Sequence, residues 1–427
     1  MSSDNLVPFR WPSTWTGPAA LRLLAGSPIN CLLFDDASGA GALAAAARAA
    51  GLTVLPWSAL AAAPLAEVKW DFPAAWTVIT GLAWPRIKLS ATGRRNEVDA
   101  GPTGAPWIDS NTWVARLAAV RAPRRPVWLG FESSKDDPAP GEAAYRIAIA
   151  DSAAAGARWM IRLDDGLATG LPAGNAAAVK TWSAIVAALT FFEKRREWTT
   201  WEPWGSLGVL STFAGKKEFL GQKVLNLASR RNLLYRVLDR ANTDGIKLEG
   251  LRGVLYADDD PPSAGLKAQL DAFARAGGLL IVPRALAAQF AGGKPAPCPV
   301  GGYDLRSLGK GSVATATRDW DDPYFLAADV HNLVGRRNDP VRLFNAGSLW
   351  EHYSVAADGS RALLQLVGFT SRPNESVSMA LSRRWRSVAM YAIGSENPVT
   401  LQPVTVEGRV EYHLPPFSYY AALESRS

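Results

Sequence analysis

A chain of 427 residues with 48% apolar and 20% charged residues is globular in composition and long enough for two or three domains. Seventeen Trp against three His and two Cys exclude a disulfide framework and argue against a His/Cys metal site, and no CxxC or HExxH spacing is present. The net charge of +7 comes largely from arginine pairs scattered along the chain, such as Arg94-Arg95 and Arg230-Arg231, which marks a solvated surface rather than a nucleic-acid footprint.

The N-terminus "MSSDNLVPFRW" has no apolar leader region, so the expected location is the cytoplasm, or outside it with a leader removed. No apolar run reaches the roughly 18 residues of a membrane span. From residue 29 to about 200, short apolar runs alternate with Ala-rich helical stretches. The runs are "INCLLF", "TVLPW", "AWTVITG", "APWIDS", "PVWLGFE" and "ARWMIRLD". They lack a polar alternate face, as parallel strands covered on both sides do, and the repeat predicts a (β/α) barrel-like unit over residues 1–204; six repeats rather than eight mean either an abbreviated barrel or two further strands without this signature.

A second unit, residues 205–322, opens on the strand "LGVLST". It continues through "LYRVL" and "LRGVLYADDD" to a helix with Leu266, Leu270, Phe273 and Ala274 on one face, closed by Gly277-Gly278 before the strand "LLIVP". That pattern predicts a smaller doubly wound α/β domain. Residues 323–427 begin with one helical stretch, "YFLAADVHNLVGRR". Alternating runs at about ten-residue spacing follow, with turn chemistry at Asp358-Gly359 and Glu407-Gly408, and predict an antiparallel β-sandwich.

In parallel α/β folds, binding and chemistry collect beyond the carboxyl ends of the strands. Those positions carry Asp35-Asp36, Trp57, Trp84, Asp109 with Asn111, Glu132, and Asp164-Asp165. Carboxylates accept hydrogen bonds from hydroxyls, and an indole face packs the C–H face of a sugar ring, so the combination suits a carbohydrate. Trp11, Trp15, Trp57, Trp84 and Trp107 adjoin turns or strand ends and are substrate-binding candidates beside Asp35, Asp36, Asn111 and Asp165. Trp128, Trp159 and Trp182 read as packing. By the strand period of two, Trp107 and Asp109 share a face.

Glycoside hydrolysis needs two carboxyl groups, one of them protonated near neutral pH by an apolar setting. Glu132 follows the most apolar approach, "VWLGF", and is the candidate acid; Asp109 or Asp164 would be the second carboxylate. The competing reading is that Asp109 and Asp164-Asp165 cap the helices that follow them. The turn "FDDASGAG" is a weak anion cradle, and Asp258-Asp259-Asp260 reads as a solvated loop. No Gly-x-Ser-x-Gly elbow, Walker loop or full dinucleotide fingerprint is present, and neither a cofactor nor a metal is expected.

The stretch "VLYADDDPPSAGLKAQLDAFARAGGLLIVP" resembles the middle, amidotransferase-like domain of family 42 beta-galactosidases, often called the trimerisation domain. The order of units, barrel then this domain then a small sandwich ending in "GRVEYHLPPFSYYAALE", resembles that family as well. The resemblance implies a glycoside hydrolase acting on an oligosaccharide or polysaccharide, and a possible homo-oligomer. Those enzymes carry the acid in an Asn-Glu pair ending the fourth barrel strand. Here Asn96-Glu97 lies in the polar loop "ATGRRNEVDAG", which leaves Glu97 a minor candidate. The alternative is a catalytically silent carbohydrate-binding or assembly protein with the same architecture. The expected partner is a carbohydrate, not nucleic acid or a membrane.

Overall fold

The structure is a computed structural model, and it describes residues 5–35, 41–60, 62–70, 77–87, 107–123, 125–131, 139–242, 245–335, 339–370, 372–406 and 409–427. Glu132, Asp36, Asn96-Glu97, residues 100–106 and the Glu407-Gly408 turn lie outside the described residues.

Five of the six apolar runs of the first 200 residues become short parallel strands, buried except for the half-buried Thr53–Pro56. Pro8–Arg10 pairs with Ile161–Arg162 on one side and with Cys31–Phe34 on the other, and Cys31–Phe34 pairs with Thr53–Pro56. A second parallel sheet runs in the order Ala62–Pro64, Thr77–Thr80, Val127–Leu129, Arg158–Trp159. Only Met160 separates Arg158–Trp159 from Ile161–Arg162, so one segment of chain joins the two sheets. Among the described residues no pairing links Thr53–Pro56 to Ala62–Pro64.

Strand alternation sorts these side chains into two cores. Cys31, Leu33, Val78, Trp128 and Met160, drawn from both sheets, pack with Leu6 and Leu60 into one cluster. Their neighbours Leu32, Phe34, Ile79, Leu129 and Ile161 face outward into a larger cluster with residues of the helices Thr112–Arg121, Glu142–Ala154 and Ala176–Glu193. The Cys31 thiol, enclosed in the first cluster, is pushed up to about 12 by burial. Helix Ala176–Glu193 is long and apolar enough to cross a membrane, an exception to the expectation that no segment is. Here its Trp182 indole N–H donates to the Leu23 carbonyl and Ile185 and Ala188 are fully buried.

One predicted strand falls elsewhere. Ile108–Asp109 does not enter the parallel sheets but pairs antiparallel with Arg86–Ile87.

The second parallel sheet region has the order Tyr235–Asp239, Leu207–Ser211, Gly253–Tyr256, Leu279–Val282, Gly311–Ala316, Tyr303–Leu308, Lys294–Ala296, with the last two strands antiparallel. Strand Leu207–Ser211 lies between the two strands that follow it in the chain, so the crossovers diverge at its carboxyl end. Helix Ala264–Ala276 starts where Ser263 accepts from the Leu266 amide, buries Leu266, Leu270 and Ala274 at four-residue spacing, and stops at Gly277 with φ 124°. At the divergence point Asp258 is buried and accepts from Ser211 Oγ at 2.6 Å, the Thr212 amide at 2.8 Å and Arg240 at 2.7 Å. The expectation of a solvated acidic loop therefore fails at Asp258.

The remaining chain forms a large antiparallel region. One sheet has the order Glu202–Pro203, Leu349–Val355, Arg361–Gly368, Tyr420–Arg426, Ser387–Ala392, Val399–Thr400; the other has Val341–Phe344, Ser378–Leu381, Arg409–His413, Val404–Val406. Leu364, Leu366, Met390 and Leu423 of the first share one core with Val341, Met379 and Tyr412 of the second. Helix Pro323–Val334 lies against helix Glu218–Arg230.

Candidate functional site

The carboxyl ends of parallel strands from both sheets, Thr77–Thr80 and Val127–Leu129 of one and Ile161–Arg162 of the other, converge on an aromatic notch. Thr77–Thr80 leads through Gly81, whose φ of 68° suits only glycine without strain, to Trp84. Val127–Leu129 runs on to Phe131, and Ile161–Arg162 runs on to Asp164. Helix Glu142–Ala154 supplies Tyr145 from the outside. Trp84, Phe131, Pro140, Tyr145, Trp159, Met160 and Asp164 line a free space of about 10 Å³, room for roughly one water.

The Trp84 indole is the centre of this wall. Its centroid stands 5.2 Å from Phe131, 5.1 Å from Tyr145 and 5.2 Å from Trp159. Its Nε1 is buried with no hydrogen-bond partner among the described residues. A buried donor left unpaired is costly, and a ligand oxygen reaching it would relieve that cost.

Asp164 is built as a helix cap and more. One oxygen accepts from the Leu167 amide at 3.0 Å, and the other accepts from the Tyr145 hydroxyl at 3.1 Å. The same hydroxyl accepts from the Asp164 amide at 2.9 Å. Tyr145 is fully buried, and burial with the Asp164 carboxylate beside it raises its pKa far above the usual tyrosine range. The phenol therefore stays protonated and holds Asp164 in one rotamer at the edge of the notch. Asp165 is exposed on the first turn of the short helix Asp165–Gly170.

A second group stands at the ends of the first strands. Arg10 pairs with Asp35 at 3.1 Å, and its guanidinium lies 4.2 Å over the Trp57 ring. Arg10 stands in register with Arg162, which also lines the notch, so the two groups adjoin along one sheet edge.

Other sequence candidates lie apart from these groups. Trp11 is 3% exposed, gives its indole N–H to the Trp15 carbonyl, and packs edge-on against Phe9 and Trp15. It is core. Trp107 stacks on Tyr324 at 6.3 Å with the Arg230 guanidinium 4.4 Å from its ring, so helices of the second region occupy its faces. Asp109 is half-buried opposite Arg86 and does not line the notch. Asn111 is buried, bonded through Nδ2 to the Ala83 carbonyl at 2.9 Å, and so anchors the segment that ends in Trp84.

Sequence reading missed Tyr145 and Asp151. Asp151, fully buried, accepts from Ser110 Oγ at 2.6 Å, the Asn111 amide at 2.9 Å and Thr112 Oγ1 at 3.0 Å. It caps helix Thr112–Arg121 from a neighbouring helix, a role local sequence does not reveal. Tyr145 looked like one more apolar residue in an Ala-rich helix.

No family model matches the chain, and no curated protein matches it. Solved structures that resemble it include family 42 beta-galactosidases and other glycoside hydrolases, the family that the stretch 254–283 resembles. An alpha-L-fucosidase isoenzyme 2 from Paenibacillus thiaminolyticus shares 11% identity over 70% of this chain and 60% of that one, with a TM-score of 0.48. A catalytic mutant of a family 42 beta-galactosidase from G. stearothermophilus shares 11% over 82% of this chain and 60% of that one, TM-score 0.48. A beta-galactosidase from Rahnella sp. R3 shares 10% over 90% and 65%, TM-score 0.47. The chain thus spans less than two thirds of the length of each, and matches this distant leave function to the site itself.

Proposed function

We propose that the chain is a carbohydrate-active protein of the glycoside hydrolase class, with its site at the carboxyl ends of the first parallel strands. The carrying observation is the aromatic wall of Trp84, Phe131, Tyr145 and Trp159 set directly against the positioned carboxylate of Asp164. In this reading residues 1–204 are the barrel-like catalytic unit, 205–322 the amidotransferase-like unit, and 323–427 a linker helix and β-sandwich. A space the size of one water admits a single hydroxyl, so in this reading the sugar ring packs over the mouth of the notch and one hydroxyl reaches in to the Trp84 indole N–H.

Glu132, next in the chain after the notch residue Phe131, is the proposed acid, and Asp164 the second carboxylate. Two carboxyl groups about 5 to 5.5 Å apart would give retention of configuration, and about 6.5 to 9.5 Å inversion. Turnover of a panel of aryl-glycosides and natural glycans tests the reading, with Glu132→Gln as the control.

One observation favours a second reading. Both Asp164 oxygens already accept hydrogen bonds, from Leu167 and Tyr145, as a purely structural cap would. A binder without catalysis would keep the sugar response and show no turnover.

A further inference from the structure

At the opposite end of the same strands lies a much larger cavity, of about 530 Å³. Its floor is the amino ends of strands Val127–Leu129 and Arg158–Trp159. Its walls are the ends of helices Glu142–Ala154 and Ala176–Glu193, the turn carrying Trp198, and Gln365 of the antiparallel sheet. It therefore sits between the first parallel region and the antiparallel region, in the size range of small-molecule sites.

Four arginines, Arg125, Arg158, Arg195 and Arg196, line it against one carboxylate, Glu193. Glu193 is engaged by both Arg158 and Arg196. Arg195 has no carboxylate partner among the described residues. Its guanidinium instead lies 4.0 Å from the Phe191 ring, 5.0 Å from Tyr391 and 5.6 Å from Trp198, with one N–H given to the Phe191 carbonyl. Burial destabilises its charge and lowers its pKa. A half-buried cation held by aromatic faces keeps most of its fork of donors available, and screening by salt is weaker there than at the open surface.

We propose that this cavity binds a small ring compound carrying one oxyanion, a carboxylate or a phosphate monoester, at a site separate from the aromatic notch. Arg195 and Arg125 grip the anion, as a guanidinium fork does, while Phe192 and Trp198 border the ring. Because the cavity touches both the parallel strands and the antiparallel sheet, an occupant bridges the two regions.

Calorimetric titration of the full chain with glucose 6-phosphate, glucuronate and uncharged glucose tests this. At least one of the two anions binds, and which one names the oxyanion. Binding weakens as salt rises from about 50 to about 500 mM. It falls about tenfold or more in Arg195→Gln and in Arg125→Ala, as loss of one charge-assisted contact requires. Arg125 is exposed, so its variant keeps the test valid if Arg195→Gln fails to fold. Trp84→Ala leaves anion binding unchanged. Failure of both anions to bind, equal binding of glucose that persists in Trp84→Ala, or full affinity in the Arg125 variant overturns the proposal.

Discussion

Arg116 donates to Nδ1 of His352 at 3.0 Å, and through its other terminal nitrogen to the Tyr235 carbonyl at 3.2 Å. Helix Thr112–Arg121 is thereby tied to strand Tyr235–Asp239 of the seven-stranded sheet and to strand Leu349–Val355 of the antiparallel region. Arginine can only donate, so Nδ1 is the unprotonated ring nitrogen. His352 is 3% exposed, and burial, then the Arg116 charge, hold its pKa well below the ordinary histidine value.

That depression fixes a sign. The folded chain resists protonating His352 while the unfolded chain accepts a proton near pH 6.5, so the stability contributed is complete above about pH 6.5 and is lost as pH falls below it. Urea unfolding at a series of pH values should show stability dropping below that point, with a contribution of up to about 1.4 kcal/mol per pH unit from this group. In His352→Gln that part of the slope disappears. An identical acid slope in both proteins would show that His352 does not carry it.

A second link joins the same helix to the divergence point of the second sheet. Arg121 donates to Asp239 at 2.9 Å and to the Thr212 carbonyl at 2.6 Å, with the two side chains 12% and 4% exposed. Removing one member of a buried pair strands the other, at about 3 to 5 kcal/mol. Arg121→Met should lower unfolding stability by that order, and Arg121→Met with Asp239→Asn should recover part of it. A loss below about 1 kcal/mol in the single variant would mean the pair is not buried in solution.

Tyr145→Phe removes one hydroxyl that serves two groups of Asp164. Expected are a stability loss of about 1 to 3 kcal/mol and, because the carboxylate loses its fixed rotamer, a lower kcat with KM little changed. Unchanged kcat alongside the stability loss would confine Tyr145 to a structural role.

Phe219 and Phe325 are 62% and 54% exposed on helices Glu218–Arg230 and Pro323–Val334, which pack side by side. If the chain self-associates, large apolar side chains left in water on neighbouring helices are the expected contact. Sedimentation should find an oligomer that Phe219→Lys with Phe325→Lys dissociates. A monomeric parent chain would contradict this.

What was legible in the sequence had local causes. Helix Ala264–Ala276 announced itself through four-residue apolar spacing and a Gly-Gly stop, and Asp164 through its place before a turn. Pro8–Arg10 escaped notice because three residues hold no periodicity, and its strand identity comes from pairing with Cys31–Phe34 and Ile161–Arg162. Trp11 and Trp107 misled for a similar reason. Each adjoins a turn, but distant partners, Trp15 with Phe9 and Tyr324 with Arg230, decide what covers it. Tyr145 and Asp151 act across helices, and no window of sequence contains both ends of their contacts.

The central claim is a sugar site with glycosidase chemistry at the carboxyl-end notch. Its most direct measurement is release of aryl alcohol from a panel of aryl-glycosides by the parent chain and by Glu132→Gln, with sugar binding followed in parallel by ligand-observed NMR. The expected result is turnover of at least one glycoside, reduced about 100-fold or more in Glu132→Gln while sugar binding persists, and loss of binding in Trp84→Ala. Absence of turnover, with sugar binding that survives Trp84→Ala, would contradict it.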